Sequence, residues 1–537
     1  MGAMGERGLG ARQLSVTSVL SGAWPALLLA TVCLLPFLNK PFLVDDPHFL
    51  AMARQIVKHP SHPMDFDICW NLDVGCAKAY ALTPGNTLMG YALVPTVLTG
   101  TTEWMAHLTQ LCFAWVAVIA MASLVLRLGY SRAGAITGAL LLAAIPPFLP
   151  MASTAMPDML ATAMGLVAIE RLAAWKACGK WSQGAAAGVA LGLAGIARPH
   201  LTLLLPLGAF FLFDSIHPRE MWSQLRQRPW RWLPILIGGV VLMTMIYATR
   251  ERSLVLDPPA VSRGLRHVPK NLRSYLLYLC FPIPLAAYWA AARWTSGPRR
   301  LAIVLGAAAI VGVASWDRRN FLAAAGFSVL ADLLLDAYRK RDHMGLFLML
   351  WLLIPLPIVY YAHLPIKYLL PCMPAVILTC FRLNELMPLR IARAANILVI
   401  AGGAVFSILI LRSDAEFAEF GRAAMDTLIR PHVAAGEKVW FGGQFSAYWY
   451  APLAGAELVT ADRGPKPGDL LAIGLLEGGE FTLLSFPRRT LVQVVPYTYS
   501  FGRTMGAGIG LYTNLQGYWL WGFGTSEKDR YELWRID

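Results

Sequence analysis

The chain of 537 residues is 57% hydrophobic and 15% charged, whereas an ordinary soluble domain carries about 25% charged residues. Too few polar side chains remain to cover a soluble protein of this length, so the apolar excess is expected to face lipid. The formal net charge of +14 does not indicate nucleic-acid binding, because the basic residues cluster at the ends of apolar runs, where membrane orientation signals lie.

Basic clusters recur in every second connection between the apolar runs. The positive-inside rule assigns such clusters to the cytoplasm, and the alternation predicts thirteen spans with the C-terminus outside. A bilayer core needs about 20 residues of helix, and several runs reach that length only with their flanking residues. The predicted spans are 17–38, 104–127, 133–151, 158–175, 183–197, 199–214, 231–249, 274–293, 301–316, 320–338, 344–361, 366–382 and 394–412.

This scheme divides the chain into a transmembrane domain, residues 1–412, and an extracytoplasmic C-terminal domain, residues 413–537. Arg7 and Arg12 precede the first span, and no small-residue cleavage site follows it, which favours an uncleaved signal anchor. In the C-terminal segment, Gly and Pro punctuate short apolar runs, which predicts a small α/β domain. The expected strands include Lys438–Phe441, Leu470–Gly474 and Thr490–Val495.

A polar external loop, residues 40–103, follows the first span. His48–Val57 within it has apolar residues at helical spacing, and residues 86–98 are apolar but too short to span, so both are expected to lie at the membrane interface. Cys69 and Cys76 share this loop on the oxidising side of the membrane, which favours a disulfide between them.

Three carboxylates are predicted to gather at the outer face. Asp45 and Asp46 directly follow the first span, and Asp158 opens the fourth span after Pro157. Helix capping would explain single acids at these positions. It does not explain two adjacent acids at the depth of a third. Such a group can act as a base with an orienting partner, and Asp46 with Asp158 could hold a divalent cation.

The outer face also carries more positive charge than the positive-inside rule allows. Phosphate recognition is the simplest reason, because Arg and Lys pair strongly with phosphate oxygens; contact with lipid headgroups or with the C-terminal domain is the alternative. The predicted phosphate-binding residues are Arg198, His200, Arg263, Arg266, Lys270 and Lys367. The span centres are nearly free of charge, and we find no internal repeat, which is atypical of a secondary transporter.

Four motifs occur in order on this predicted outer face. The first is the acidic pair with an aromatic and a short helix after it, Asp45-Asp46-Pro47-His48-Phe49, and the second is Pro157-Asp158. The third is a Gly-rich fifth span that ends in Arg198-Pro199-His200, and the fourth is Lys367-Tyr368-Leu369-Leu370-Pro371-Cys372-Met373-Pro374. Together they resemble the GT-C glycosyltransferases of the protein-mannosyltransferase type, which include bacterial lipid A aminoarabinose transferases and rhizobial lipopolysaccharide sugar transferases.

The resemblance covers about the first 410 residues and departs from the family at several positions. Asp46 stands where members usually have Glu, Arg198 where many have Lys, and Lys367 where the motif has Arg. The resemblance implies inverting transfer of a sugar from a polyprenyl-phosphate donor to a lipid, glycan or protein acceptor at the outer face of the bacterial cytoplasmic membrane. It implies that an Asp of the first loop is the base. It also implies that some members bind a metal ion.

The chemistry of such a transfer accords with these residues. Asp45 would serve as the base, Asp46 or Asp158 would orient the acceptor or hold a metal, and the basic residues would stabilise the departing phosphate. No cofactor is required, because the phosphate bond already activates the sugar. Two alternatives remain, an O-antigen ligase or polymerase, which works at the same face without the acidic pair, and a lipid or sugar transporter.

Overall fold

The computed structural model describes residues 14–71, 75–82, 85–213, 218–249 and 264–537. Within these ranges the fold is mostly helical, and eight helices are long and apolar enough to cross a membrane. The chain is a multi-pass membrane protein, while the count of thirteen spans stays a prediction. The α-helices of eight or more residues are Val16–Leu34, Asp46–Lys58, Glu103–Arg127, Arg132–Ala144, Pro157–Cys178, Trp181–Ala197, Pro218–Gln227, Leu233–Thr249, Val268–Tyr278, Leu285–Ser296, Pro298–Ser315, Arg318–Arg339, His343–Leu353, Met373–Asn384, Leu389–Ala434 and Phe445–Leu453.

Several predicted spans are interrupted rather than continuous. The segment 274–293 breaks around Pro282 and Pro284 into two helices, and the segment 344–361 passes into a 3₁₀ helix after Pro355. Proline lacks the backbone N–H and clashes with the preceding turn, so it ends an α-helix. The shorter helical pieces are Leu35–Phe37, Ala79–Leu82, Thr87–Ala92, Val94–Leu98, Phe148–Ala152, Pro199–Leu203, Leu204–Leu207, Ala209–Leu212, Pro229–Trp232, Leu265–His267, Leu356–Tyr360, Ile366–Cys372 and Gly479–Leu484.

The last predicted span, 394–412, belongs to the 46-residue helix Leu389–Ala434, which continues through the expected domain boundary without a break. A five-stranded sheet follows it. The strand Arg530–Ile536 pairs antiparallel with Leu470–Gly474 and with Arg489–Pro496, while Val439–Gly442 runs parallel to Leu470–Gly474. The three strands expected from the sequence are thus present. The remaining strands are Asp67–Asn71, Gly75–Lys78, Glu457–Leu458, Met505–Gly506, Gly508–Gly510 and Gly517–Trp519.

The first loop is held between the membrane helices and the C-terminal segment. Its helix Asp46–Lys58 buries Phe49, Leu50, Met52, Ala53 and Ile56, on the face that the apolar spacing predicts. The hydroxyl of Tyr450 accepts a hydrogen bond from the backbone N–H of Phe42 at 2.8 Å and donates to Glu103 at 2.9 Å. The loop is further closed by a disulfide between Cys69 and Cys76.

Reporter fusions test the predicted sidedness. Fusions at Gly129 and Ser296, in connections flanked by basic residues, should report the cytoplasm, and a fusion at Gly436 should report the outside. Gly436 follows the long helix, so its reporter shows where the sheet lies. An internal signal at Gly436 would overturn the topology, and with it the assignment of Asp45 to the outer face.

Candidate functional site

The adjacent acids Asp45 and Asp46 have different surroundings. Asp46 is buried, and its carboxylate accepts hydrogen bonds from the backbone N–H of Leu43 at 3.0 Å and of Ala155 at 2.7 Å. Burial raises the pKa of Asp46 to about 7, against the opposing effects of Lys40 and the two backbone donors. Because both oxygens of Asp46 are engaged by backbone, its carboxylate ties the first loop to the segment before the Pro157–Cys178 helix.

Asp45 is the accessible member of the pair. Its side chain is 33% exposed, and Oδ2 accepts a hydrogen bond from the Lys367 ammonium at 3.0 Å, whereas the Lys367 side chain is only 2% exposed. Burial raises the pKa of the Asp45 carboxyl, but Lys367 outweighs this and lowers it below the ordinary value. Asp45 is therefore ionised at neutral pH, and the bond from the ammonium engages only its Oδ2.

A second ion pair lies beside the first. Both carboxylate oxygens of Asp158 accept hydrogen bonds from Nη2 of Arg198 at 2.7 Å, and both side chains are at least nine-tenths buried. The Arg198 guanidinium stacks 4.7 Å from the ring centroid of Tyr368, and the Lys367 ammonium lies 5.8 Å from the same ring. The Tyr368 ring thus contacts two cations, each of which has its own carboxylate partner.

Two nitrogens near these pairs are buried without a hydrogen-bond partner among the described residues, Nε of Arg198 and Nε2 of His200. Buried polar atoms are normally paired. The ring of His363 stacks on Tyr368, and burial, with help from Lys367, lowers the pKa of His363 to about 3, so that imidazole is neutral at pH 7. The site therefore offers one unused donor, Nε of Arg198, and one unpaired ring nitrogen, Nε2 of His200.

A third ion pair lies behind the site and is fully enclosed. The Lys40 ammonium donates to Oδ2 of Asp414 at 2.7 Å and to the Ser153 hydroxyl at 3.2 Å, and neither charged side chain has any exposed area. Asp414 also accepts from the Tyr512 hydroxyl at 2.6 Å and from Thr504 at 3.2 Å. The Tyr512 ring faces Lys367, with its centroid 5.7 Å from the ammonium.

The other predicted phosphate-binding residues lie apart from these pairs or outside the description. Arg263 lies outside the described residues. The exposed Arg266 donates to Nε2 of His267 at 3.2 Å. Lys270 is half-buried, which lowers its pKa, and lies close enough to His363 to affect the pKa of that imidazole. Their roles stay predictions.

Three further arginines, which the predicted topology places outside, contact the C-terminal segment. Arg273 donates to the Tyr518 hydroxyl, Arg319 lies 5.3 Å from the same ring, and Arg318 lies 5.6 Å from the ring of Trp519. Cation–π contacts of this kind stabilise packing between segments. These three arginines therefore contact the C-terminal segment, which is the alternative to phosphate recognition.

The predicted pairing of Asp46 and Asp158 around a divalent cation does not fit this arrangement. Backbone N–H groups occupy both oxygens of Asp46, and the Arg198 guanidinium occupies both oxygens of Asp158. A cation between them would face these positive donors instead of free ligand oxygens. The described part of the chain also contains no group of three His, Cys, Asp or Glu side chains placed to hold a metal.

Three residues of this enclosed cluster were not predicted from the sequence: Lys40, Asp414 and Tyr512. Lys40 lies just after the first predicted span, and Asp414 lies just after the last one. Both spans end at the same predicted face, so the opposite charges of these residues indicated that they could pair. Tyr512 carried no signal, because it comes from a segment with no periodic pattern. Nearby, Asn514 bonds Asn271 at 2.9 Å, which fixes this C-terminal segment on the membrane helices.

Comparison with known proteins gives structural likeness only. No family model matches the sequence, and no curated protein matches it. ArnT from Cupriavidus metallidurans bound to undecaprenyl phosphate has 14% identity and a TM-score of 0.44, covering 89% of this chain and 96% of ArnT. Yeast Pmt1-Pmt2, a protein O-mannosyltransferase of S. cerevisiae bound to its sugar donor, has 15% identity and a TM-score of 0.32, covering 46% of this chain and 35% of that one.

The arabinosyltransferase EmbB from Mycobacterium smegmatis has 13% identity and a TM-score of 0.38, covering 76% of this chain and 42% of EmbB. These solved structures are GT-C glycosyltransferases, the family that the sequence motifs resemble.

Proposed function

We propose that this protein is a membrane glycosyltransferase that moves a sugar from a polyprenyl-phosphate donor to a lipid, glycan or protein acceptor. The reaction would take place at the outer face of the bacterial cytoplasmic membrane, with the C-terminal segment on the same side. One observation carries the proposal: a partly exposed, ionised Asp45 stands beside the buried cation Lys367 and a second cation, Arg198, that has an unused donor.

Asp45 has the properties of a general base. A base must be ionised at working pH and within reach of the hydroxyl whose proton it takes. The Lys367 ammonium keeps Asp45 ionised, and the partly exposed carboxylate would accept the proton of an acceptor hydroxyl at Oδ1. A lowered pKa also makes Asp45 a weaker base. Asp45 would become a stronger base if an arriving phosphate took over part of the interaction with Lys367.

The departing phosphate would be held by the cations around Tyr368. Nε of Arg198 is a buried donor without a hydrogen-bond partner among the described residues. Nε2 of His200, two residues later in the chain, also has none. Charge-assisted hydrogen bonds to phosphate oxygens are stronger than neutral ones. A phosphate at this position would share Lys367 with Asp45, so donor binding would raise the basicity of Asp45 when the acceptor arrives.

The proposed reaction is a single displacement at the anomeric carbon of the donor sugar. The acceptor oxygen forms a bond to the anomeric carbon as the bond from that carbon to the phosphate oxygen breaks, which inverts the configuration. The acceptor proton passes to Asp45, and polyprenyl phosphate leaves with the electron pair. Arg198 and Lys367 would stabilise the charge that develops on the leaving oxygen.

The proposal is tested with purified protein in detergent, a polyprenyl-phosphate sugar and a mixture of envelope acceptors, with products read by mass spectrometry. Arg198→Lys should raise the donor concentration needed for half-maximal rate by at least about tenfold, because a charge-assisted hydrogen bond contributes about 1.5–3 kcal/mol. Lys keeps a charge beside the buried Asp158 but cannot form the planar donor fork.

Arg430→Gln is the matched control, because Arg430 is an exposed arginine that, among the described residues, pairs only with Asp426 on the same helix. It should leave the donor dependence unchanged. Glycan profiles from a deletion strain would identify the sugar and the acceptor. Donor movement across vesicles without any new glycosidic bond would instead make the protein a transporter. Wild-type donor dependence in Arg198→Lys would contradict the assignment of the free Arg198 Nε to the phosphate.

A further inference from the structure

A second candidate binding site lies at the opposite end of the membrane helices. A cavity of about 500 Å³ opens there between the helices Val16–Leu34, Glu103–Arg127 and Pro157–Cys178, with Gln183 at its edge. Asp158 begins the last of these helices, and Glu170 lies twelve residues later, which corresponds to about 18 Å along the axis. We call this the basal cavity, and it shares no lining residue with the Asp45 site.

The walls of the basal cavity are apolar, and its end is charged. Val19, Val116, Ile119 and Val167 line the walls, on stripes that recur at helical spacing along their helices. At the end of the cavity, Glu170 is 2% exposed and accepts hydrogen bonds from Ser123 at 2.6 Å, from Nε of Arg127 at 2.5 Å and from Nε of Arg171.

This charge cluster leaves guanidinium donors unused. Glu170 engages only Nε of each arginine, and Gln183 accepts one further bond from Nη1 of Arg171 at 2.8 Å. Among the described residues, the terminal nitrogens of Arg127 and Nη2 of Arg171 have no protein partner. The arginine side chains are 14% and 31% exposed. Two arginines and one glutamate leave a net charge of +1 facing the cavity.

We propose that the basal cavity binds an anionic glycerophospholipid. Its phosphodiester would sit on the free donors of Arg127 and Arg171, and an acyl chain would lie against the apolar walls. Two features favour this occupant over a free anion: the charge complements a single phosphodiester, and the cavity continues into apolar surface that a soluble anion would leave uncovered. Basic pockets between membrane helices are suited to lipid headgroups.

Native mass spectrometry of the full-length protein with added phosphatidylglycerol tests the proposal, with phosphatidylcholine of the same acyl chains as the comparison. Wild-type protein should retain phosphatidylglycerol preferentially. Arg171→Gln leaves Arg127 to pair Glu170 but removes the net positive charge, and it should weaken phosphatidylglycerol binding by at least about tenfold. Ala120→Phe fills the cavity from its buried apolar side and should reduce binding without changing any charge.

Arg132→Gln is the matched control, since Arg132 is an exposed arginine that begins the neighbouring helix Arg132–Ala144 and does not line the cavity. It should bind lipid as the wild type does. Wild-type lipid retention in both Arg171→Gln and Ala120→Phe would overturn the proposal. Equal retention of phosphatidylcholine would also overturn it, as would displacement of the lipid by millimolar inorganic phosphate, which would mark a site for a free anion.

Discussion

Changing Asp45 to Asn is expected to abolish sugar transfer, with a loss of at least about a hundredfold, while the protein stays folded. A positioned general base contributes about 10²–10⁴-fold to rate, and Asn cannot take up a proton at neutral pH. Asn can still accept a hydrogen bond from Lys367, which lies 3.0 Å from Asp45. The measurement is turnover of a polyprenyl-phosphate sugar by purified protein, with monodispersity checked for each variant.

Asp65→Asn provides a matched control within the same loop, because Asp65 is an exposed acid that pairs only with Lys78 among the described residues. It should turn over normally. Asp46→Asn is expected to behave differently from both, because its amide would place an N–H against a backbone donor of Leu43 or Ala155. We expect it to lower thermal stability, with a milder effect on the turnover of the folded fraction.

Two outcomes would contradict this assignment. If Asp45→Asn turns over normally while folded Asp46→Asn does not, the acidic pair holds the base but Asp46 is the residue. If both variants turn over normally, the proposed mechanism is wrong. A role for Asp45 in helix capping alone predicts near-normal activity in Asp45→Asn, since Asn caps helices as well as Asp does.

Lys40→Met is expected to destabilise the protein by about 3–5 kcal/mol, the usual effect of leaving one partner of a buried ion pair alone. Lys40 and Asp414 have no exposed side-chain area, so no water replaces the lost ammonium. Tyr512 and Thr504 would still donate to Asp414, but neither supplies a positive charge. The measurement is the thermal unfolding midpoint of purified protein in detergent.

Lys340→Met is the control, because Lys340 forms an ion pair with Asp336 at the same distance, 2.7 Å, but its side chain is 65% exposed. Exposed pairs contribute about 0–1 kcal/mol, so the midpoint should barely change. Equal midpoints for Lys40→Met and Lys340→Met would mean that the enclosed pair does not hold the first loop to the long helix.

The sequence predicted those parts of the fold that follow from local pattern. Apolar periodicity predicted the loop helix that begins at Asp46, and the alternation of apolar runs with Gly and Pro predicted the strands of the C-terminal sheet. It could not predict where proline would divide a span, as at Pro282. A run of apolar residues has the same hydropathy whether its helix is continuous or broken. It could not place the end of the long helix either, because residues 413–434 are too polar to belong to a span.

For the site, the sequence indicated the right side chains but not their partners. The predicted topology placed four residues at the same depth in the membrane: Asp45, Asp158, Arg198 and Lys367. It did not show that Lys367 pairs with Asp45, or that Arg198 occupies both oxygens of Asp158. Such pairings depend on which helices are neighbours, and no pattern within one helix encodes that. For the same reason, the metal pairing of Asp46 and Asp158 was a reasonable prediction that the contacts do not fit.

The continuous helix Leu389–Ala434 joins the last predicted span to the C-terminal sheet as a single rod. Its 46 residues span about 69 Å, while a bilayer core is about 30 Å thick, so more than half of the rod projects beyond the hydrocarbon. No loop separates the two parts of this helix, and the sheet packs along the projecting part, where the side chain of Tyr531 lies against Gly421. A tilt of the predicted span 394–412 would therefore be passed directly to the sheet, as a lever passes movement from one arm to the other.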